Sequence, residues 1–186
     1  MKHCMLDLET WGVRAGYAIR SIGAVQFDLG GNFGEQFYCN VSRESCVAAG
    51  LKIDPSTEDW WARQSAVARA ALDVNPRSLH EAVVTFNAWF GKIDAPQLWA
   101  HGANFDPGIY EGAAIAIGMT VPWRFHNVRD TRTVFELFGF DIRDIPRDGT
   151  YHNARDDAHY QALCVVAALR KGRKPNLVVA SESVFE

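Results

Sequence analysis

The chain has 186 residues, of which 48% are hydrophobic and 12% are aromatic, and its formal net charge is −3. This length and apolar content are typical of a single folded domain and exclude a chain that is disordered throughout. The slightly negative net charge does not indicate a protein that binds an acidic partner through an excess of positive charge.

Neither secretion nor membrane insertion is indicated. Asp7 and Glu9 interrupt the N-terminal segment before an apolar signal region could form, so we expect no signal peptide. The most apolar stretches, around 112–123 and 162–169, are too short to span a bilayer. The four cysteines form no CxxC pair and no Cys/His ligand spacing, which favours reduced thiols. We therefore expect a soluble, cytoplasmic protein.

The first half of the chain predicts strands and then helices. Short strands are predicted at 3–8, 19–29 and 35–41. Glycines at 30, 31 and 34 lie between two of these strands, as in a hairpin loop, and they do not precede a helix as a phosphate-binding loop would. A helix start is predicted at Asp54 and Pro55. Residues recurring at helical spacing after it are Trp60, Trp61, Gln64, Val67 and Ala71. Ser78 with Glu81 predicts the start of a helix over 78–92.

The second half predicts one more strand among helices. The strand is predicted at 97–101, and the helices at 107–118, 130–139 and 156–171. Asp130 is the expected N-cap of the second of these helices, and Gly139 and Gly172 are expected ends. Residues 173–186 have no assignable periodicity. Strands followed by alternating helices and strands predict one α/β domain with a mixed sheet.

Asp7 and Glu9 form the first motif, at the end of the first strand. Side chains alternate along a strand, so these two carboxylates face one side while Leu8 faces the other. Two neighbouring acids repel each other and are expensive to bury, but Mg²⁺ or Mn²⁺ would remove that cost. Their spacing alone also allows a strand that leaves the core with both acids in water.

Asp106 is the second motif. It follows the predicted strand within WAHGANFD (99–106), at the edge of the sheet where α/β proteins usually place their sites. An ordinary alternative is a helix N-cap, because Pro107 comes next.

His152 and Asp157 form the third motif, in a polar loop that opens the last helix. An acid at a helix start is favoured by the helix dipole, and a loop histidine is usually only exposed, so each residue has an ordinary explanation. A functional histidine here would take part in proton transfer.

Taken together, the order Asp-x-Glu, Asp and His-x₄-Asp resembles that of the DEDDh exonucleases, a family that includes RNase T and oligoribonuclease. The resemblance covers roughly residues 3–170. Three segments, DWWARQS (59–65), WAHGANFD (99–106) and DTRT (130–133), are also similar to the smaller group that contains the phage exonuclease DexA and mycobacterial exoribonucleases.

The resemblance implies a fold and a set of site residues. The fold is RNase H-like, a five-stranded mixed sheet whose first three strands form an antiparallel meander, flanked by helices. We expect an exonuclease domain over 1–174 and a tail at 175–186. The residues implied to be catalytic are Asp7, Glu9, Asp106, His152 and Asp157. The four acids among them would hold two divalent ions, Mg²⁺ or Mn²⁺, and His152 would be the general base. Asp156 competes with Asp157, but the family spacing favours Asp157.

The implied reaction is hydrolysis of the 3′-terminal phosphodiester of a single-stranded end, which releases a 5′-mononucleotide. Candidate substrate contacts are Leu8, Thr10, Trp61, Asn104, Phe105 and Arg132. RNA is favoured over single-stranded DNA, and a homodimer is the expectation from the family. A non-catalytic nucleic-acid-binding module on the same fold is the alternative class, but such a module should have lost an acid or the histidine, and all five residues are present.

Overall fold

The computed structural model describes residues 1–94 and 97–172, in which three strands are followed by four α-helices and then by two further strands among the remaining helices. The strands are β1 (His3–Thr10), β2 (Ile19–Phe27), β3 (Phe33–Asn40), β4 (Gln97–Ala100) and β5 (Val128–Asp130). The helices are α1 (Arg43–Ala48), α2 (Pro55–Ala62), α3 (Ala66–Leu72), α4 (Leu79–Lys92), α5 (Asp106–Ala116), α6 (Thr131–Leu137) and α7 (Ala154–Gly172). The predicted tail at 175–186 lies outside the described residues.

The five strands form one mixed sheet in the order β3-β2-β1-β4-β5. β1, β2 and β3 are an antiparallel meander, whereas β4 pairs in parallel with β1 and β5 in parallel with β4. The predicted fold class is therefore confirmed. The residues themselves did not reveal β5, because a strand of three residues is too short to show an alternating pattern.

The two faces of the sheet are covered by different helices, as the alternation of side chains along β1 requires. Leu6 and Leu8 face a larger core that includes Phe86 of α4 and Tyr110 of α5. Met5 faces a second core, which α7 covers with small residues such as Ala158 and Ala162. The helix α7 consequently lies on the same face of β1 as Asp7 and Glu9.

Most helix starts lie where the sequence predicts them. Ser78 and Glu81 form a reciprocal capping box, and the side chains of Asp54 and Asp130 accept backbone hydrogen bonds at the starts of α2 and α6. The residues predicted at helical spacing from Trp60 through Ala71 do not form one helix, because α2 ends at Ala62. The hydroxyl of Ser65 accepts the N–H of Ala68 at 3.1 Å, so a new helix, α3, begins there. The short helix α1 was not predicted.

The described residues contain no helix that is both long enough and apolar enough to cross a membrane. All four cysteines are buried and free of disulfide bonds.

Candidate active site

Asp7 and Glu9 lie on the part of β1 that extends beyond its neighbour β4. The parallel pairing covers only residues 3–5 of β1. Beyond it, none of the described strands lies beside this edge of β1, and the backbone N–H of Leu8 donates instead to Oδ1 of Asp106 at 3.0 Å. A side chain thus completes the hydrogen bonding of the strand where β4 has ended.

Asp106 is the first residue of α5, but it does not cap that helix. Phe105 occupies the N-cap position, and within residues 1–94 and 97–172 no side chain caps the helix start. The N-cap interpretation of Asp106 is therefore wrong. The carboxylate is 2% exposed and is directed at β1, where it holds the edge of the strand next to Glu9.

Asp157 lies in the first turn of α7, and His152 lies in the loop just before that helix. The backbone of His152 has a φ of 62°, in the left-handed region that few residues other than glycine adopt. Gly23 lets the start of α7 approach the sheet, because a Cβ at this position would lie 2.1 Å from the backbone carbon of Ala154. Gly23 is also the partner of Asp7 in the β1–β2 register.

Glu9, His152 and Asp157 converge at this edge of the sheet. Each offers one ligand atom, and the three atoms lie within 4.8 Å of one another. The rival residue Asp156 has other partners: its Oδ2 accepts the N–H of Thr150 at 2.9 Å, and its Oδ1 pairs with Arg155 at 3.0 Å.

Asp7 and Asp106 are not part of that group of three ligand atoms, but the charge of Asp106 acts on both Asp7 and Glu9. Burial, followed by the charges of Asp106 and Glu9, raises the pKa of Asp7 well above its usual range. Burial and the charge of Asp106 raise the pKa of Glu9 to about 8. Burial raises the pKa of Asp106 to about 7, and the hydrogen bond from Leu8 opposes that shift. The three acids resist ionisation together unless a cation is close by.

This set of donors fits a hard divalent cation. Carboxylate oxygens are the preferred ligands of Mg²⁺ and Mn²⁺, and a bound cation would favour the ionised form of the acids. The side chains able to hold it are Asp7, Glu9, Asp106 and Asp157. His152 lies beside them and could accept a proton.

The ring of His152 packs edge-on against two tryptophans of α2. The centroid of the His152 ring lies 5.0 Å from the ring centroid of Trp60 and 5.8 Å from that of Trp61. Burial, together with the charge of Arg147, lowers the pKa of His152. A neutral imidazole, the form able to accept a proton, is thereby favoured near neutral pH.

A cavity of about 440 Å³ opens beside Glu9. Its lining residues are Leu8, Glu9, Thr10, Val13, Ser56, Thr57, Trp60, Trp61, Arg63 and Phe105. Four of the six predicted substrate contacts therefore line it. Asn104 and Arg132 are exposed outside this lining, and Arg132 lies beside Gly102.

The two tryptophans have different environments. Trp61 is 2% exposed, and its indole N–H donates to the carbonyl oxygen of Thr10 at 2.9 Å. It belongs to the core and forms a wall of the cavity. Trp60 is 38% exposed at the same cavity, so it is the tryptophan with a free surface for a ligand.

Two further residues at the site were not predicted. The side-chain amide of Gln161 donates to Oδ1 of Asp7 at 2.7 Å. Gln161 follows Asp157 by four residues on one helix, and that spacing was the available signal. Arg147 forms an ion pair with Asp157, but it lies in an irregular loop where no periodicity points to it.

Comparisons with known proteins identify a family and a similar fold. The family model described as a 3′-5′ exoribonuclease Rv2179c-like domain matches residues 2–169. A comparison with curated sequences finds no significant match. Among solved structures, Pop2p of S. pombe in its Mg²⁺- and Mn²⁺-bound form is similar, with a TM-score of 0.58 at 12% identity, over 92% of this chain and 83% of that one. At that identity the likeness shows the fold.

Proposed function

The chain belongs to the Rv2179c-like 3′-5′ exoribonuclease domain family, and we propose that a carboxylate cluster formed by Asp7, Glu9, Asp106 and Asp157 removes nucleotides one at a time from single-stranded 3′ ends of RNA. Family membership confirms the predicted enzyme class, a 3′-5′ exoribonuclease. The proposal adds the residues, the metal requirement and the form of the substrate.

One observation supports the proposal most strongly: ligand atoms of Glu9, His152 and Asp157 lie within 4.8 Å of one another. The raised pKa values of Asp7 and Asp106 add to it, because they indicate a site that favours a bound cation. Asp7, Glu9, Asp106 and Asp157 would hold two divalent ions. Such ions supply the positive charge that activates a water molecule and stabilises the leaving oxyanion.

His152 is the proposed general base, which takes the proton of the attacking water. Its lowered pKa keeps the ring ready to accept a proton at neutral pH. The two tryptophans against the ring hold its plane, so that its orientation is set before substrate arrives. The His-x₄-Asp spacing of His152 and Asp157 supports a DEDDh-type site.

The cavity beside Glu9 is proposed to hold the 3′-terminal nucleoside. Leu8 and Phe105 supply apolar surface, and Trp60 offers a partly exposed indole on which a base can stack. Stacking of this kind contributes about 1–3 kcal/mol per base. Thr10, Ser56 and Thr57 lie in the same lining. The hydroxyl of Thr10 donates to the carbonyl oxygen of Gly12 and that of Ser56 donates to Asp54, so each of these two can still accept a hydrogen bond from the sugar or the base.

Single-stranded DNA is the alternative substrate, because the same chemistry cleaves both polymers and only the 2′-hydroxyl distinguishes them. The family favours RNA. The closeness to the phage DexA group, the homodimer and the cytoplasmic location remain predictions.

The test is a time course on 5′-labelled RNA and DNA of matched sequence, with Mg²⁺, with Mn²⁺ and with EDTA. We expect a ladder that shortens from the 3′ end of RNA only when metal is present. Cleavage that is unaffected by EDTA, or no cleavage of either polymer, would contradict the proposal. Faster cleavage of DNA than of RNA would reverse the choice of substrate.

A further inference from the structure

Arg147 places a cation inside the carboxylate cluster. Its Nη2 forms an ion pair with Oδ1 of Asp157. The two side chains are only 18% and 14% exposed, so water screens the pair weakly. The exposed pair Arg143–Asp141, in the preceding segment, has corresponding exposures of 87% and 43%.

Two tyrosines hold the guanidinium of Arg147 in place. The guanidinium carbon, Cζ, lies 4.0 Å from the ring centre of Tyr151 and 5.1 Å from that of Tyr160. The hydroxyl of Tyr160 is itself anchored on the carbonyl oxygens of Ile142 and Ile145, at 2.5 Å and 3.2 Å. Arg147 is therefore fixed by the fold and does not reach the site as a free surface side chain.

The charge of Arg147 acts on more than Asp157. Against the stronger effects of burial and of the neighbouring acids, it lowers the pKa of Asp7 and that of Glu9. The ion pair nevertheless leaves Arg147 incompletely paired. Its Nε is buried and, among residues 1–94 and 97–172, has no hydrogen-bond acceptor. Arg147 thus offsets part of the charge of Asp7, Glu9 and Asp157 without satisfying its own donors.

We propose that Arg147 is the resident counter-ion of the carboxylate cluster: it neutralises Asp157 in the metal-free protein and competes with a divalent cation for that carboxylate. This inference rests on the proposed metal-dependent function. Because a cation at Asp157 must displace the guanidinium or share the carboxylate with it, Arg147 weakens metal binding and sets the metal concentration at which the site fills.

Calorimetric titration with Mn²⁺ alone tests the inference, without substrate and without an activity readout. Arg147→Met removes the charge but keeps an apolar chain between the tyrosines. We expect its dissociation constant for Mn²⁺ to be about tenfold lower than that of the wild type, at the low end of the coupling measured for close charge pairs. Arg147→Lys keeps a charge but loses the planar fork, so it should fall between the two.

Arg143→Met is the matched control, because it removes an arginine from an exposed pair outside the site. Its affinity for Mn²⁺ should equal that of the wild type. Thermal melting adds a second readout. Without metal, Arg147→Met should melt at a lower temperature than the wild type, and saturating Mn²⁺ should raise its melting temperature by more.

The outcomes separate the two proposals. If the wild type binds Mn²⁺ and Arg147→Met binds it no more tightly, Arg147 only positions Asp157 and the counter-ion inference is overturned. If neither the wild type nor any variant binds Mn²⁺, the proposed metal site is contradicted, and so is this inference. If Arg147→Met does not fold, Arg147→Lys decides: tighter binding than in the wild type supports competition, and equal or weaker binding overturns it.

Discussion

His152 combines a left-handed backbone, a ring packed against two tryptophans and a position next to Glu9 and Asp157. A histidine placed only for solubility has no reason to adopt a strained backbone beside buried acids. The conformation therefore agrees with a chemical role for the ring.

Replacing this ring should impair the chemical step. We expect His152→Ala to lower kcat by about 10²–10⁴-fold, the usual contribution of a general base. Single-turnover cleavage of 5′-labelled RNA measures the change. His126→Ala, which alters an exposed histidine outside the site, should cleave at the wild-type rate. Full turnover by His152→Ala at neutral pH would remove His152 from the mechanism.

At the scale of elements, the site depends on how closely α7 lies against β2. Gly23 makes that approach possible, since any Cβ there would overlap the backbone of Ala154 and Arg155. The helix carries both Asp157 and Gln161, and Gln161 in turn holds Asp7. A shift of α7 therefore displaces two carboxylates at once.

Gly23→Ala should push α7 away from the sheet. Overpacking of this kind costs about 1–3 kcal/mol of the free energy of unfolding, and a displacement of about 1 Å at a site can lower activity about 10²-fold. Denaturant unfolding and RNA cleavage measure the two effects. Gly91→Ala is the control, because nothing in the described residues outside its chain neighbours and its own helix backbone lies within 4 Å of the added methyl group; it should keep full activity. Equal stability and activity in both variants would show that α7 tolerates the methyl group.

The elements that could be predicted from sequence are those with local causes. The capping box at Ser78 and Glu81 and the N-cap at Asp130 are formed by residues close together in the chain, and both were predicted. The break at Ser65 had a local signal as well, but helical spacing on either side of it concealed the cap. The location of Arg147 beside Asp157 arises only from tertiary packing, which no local pattern reports.

For the whole molecule, the buried acids link stability to pH. An unperturbed carboxyl has a pKa of about 4, whereas the folded protein raises the pKa of Asp106 to about 7 and that of Glu9 to about 8. The folded state therefore binds protons that the unfolded state has already released. This contribution to stability is fully present below about pH 4 and is lost as the pH rises towards about 8.

The metal-free protein should consequently melt at a lower temperature at about pH 8.5 than at about pH 7, a window above the titration of ordinary histidines and carboxylates. Saturating Mg²⁺ should reduce this loss, because metal binds the deprotonated acids. Calorimetric melts with EDTA and with Mg²⁺ test both expectations. Glu9→Gln, which cannot ionise, should lose less stability over the same interval. A melting temperature in EDTA that rises across this window would contradict the raised pKa values.

Adjacent acids at the start of α7 provide the most direct test of the proposed active site. Asp157 lies with Glu9 and His152, whereas Asp156 pairs with Arg155 and the backbone of Thr150. Asparagine is nearly the same size as aspartate, so either substitution preserves the packing.

The test compares Asp157→Asn with Asp156→Asn in single-turnover cleavage of 5′-labelled RNA and in Mn²⁺ binding. The comparison distinguishes a metal ligand from an ordinary acid at a helix start. Removing an outer partner of a metal ligand typically lowers activity about 10–100-fold. We predict that Asp157→Asn lowers activity by more than this and binds Mn²⁺ more weakly than the wild type. Asp156→Asn should match the wild type in both measurements. Equal activity in the two variants, or loss in Asp156→Asn alone, would contradict the assignment of the active site.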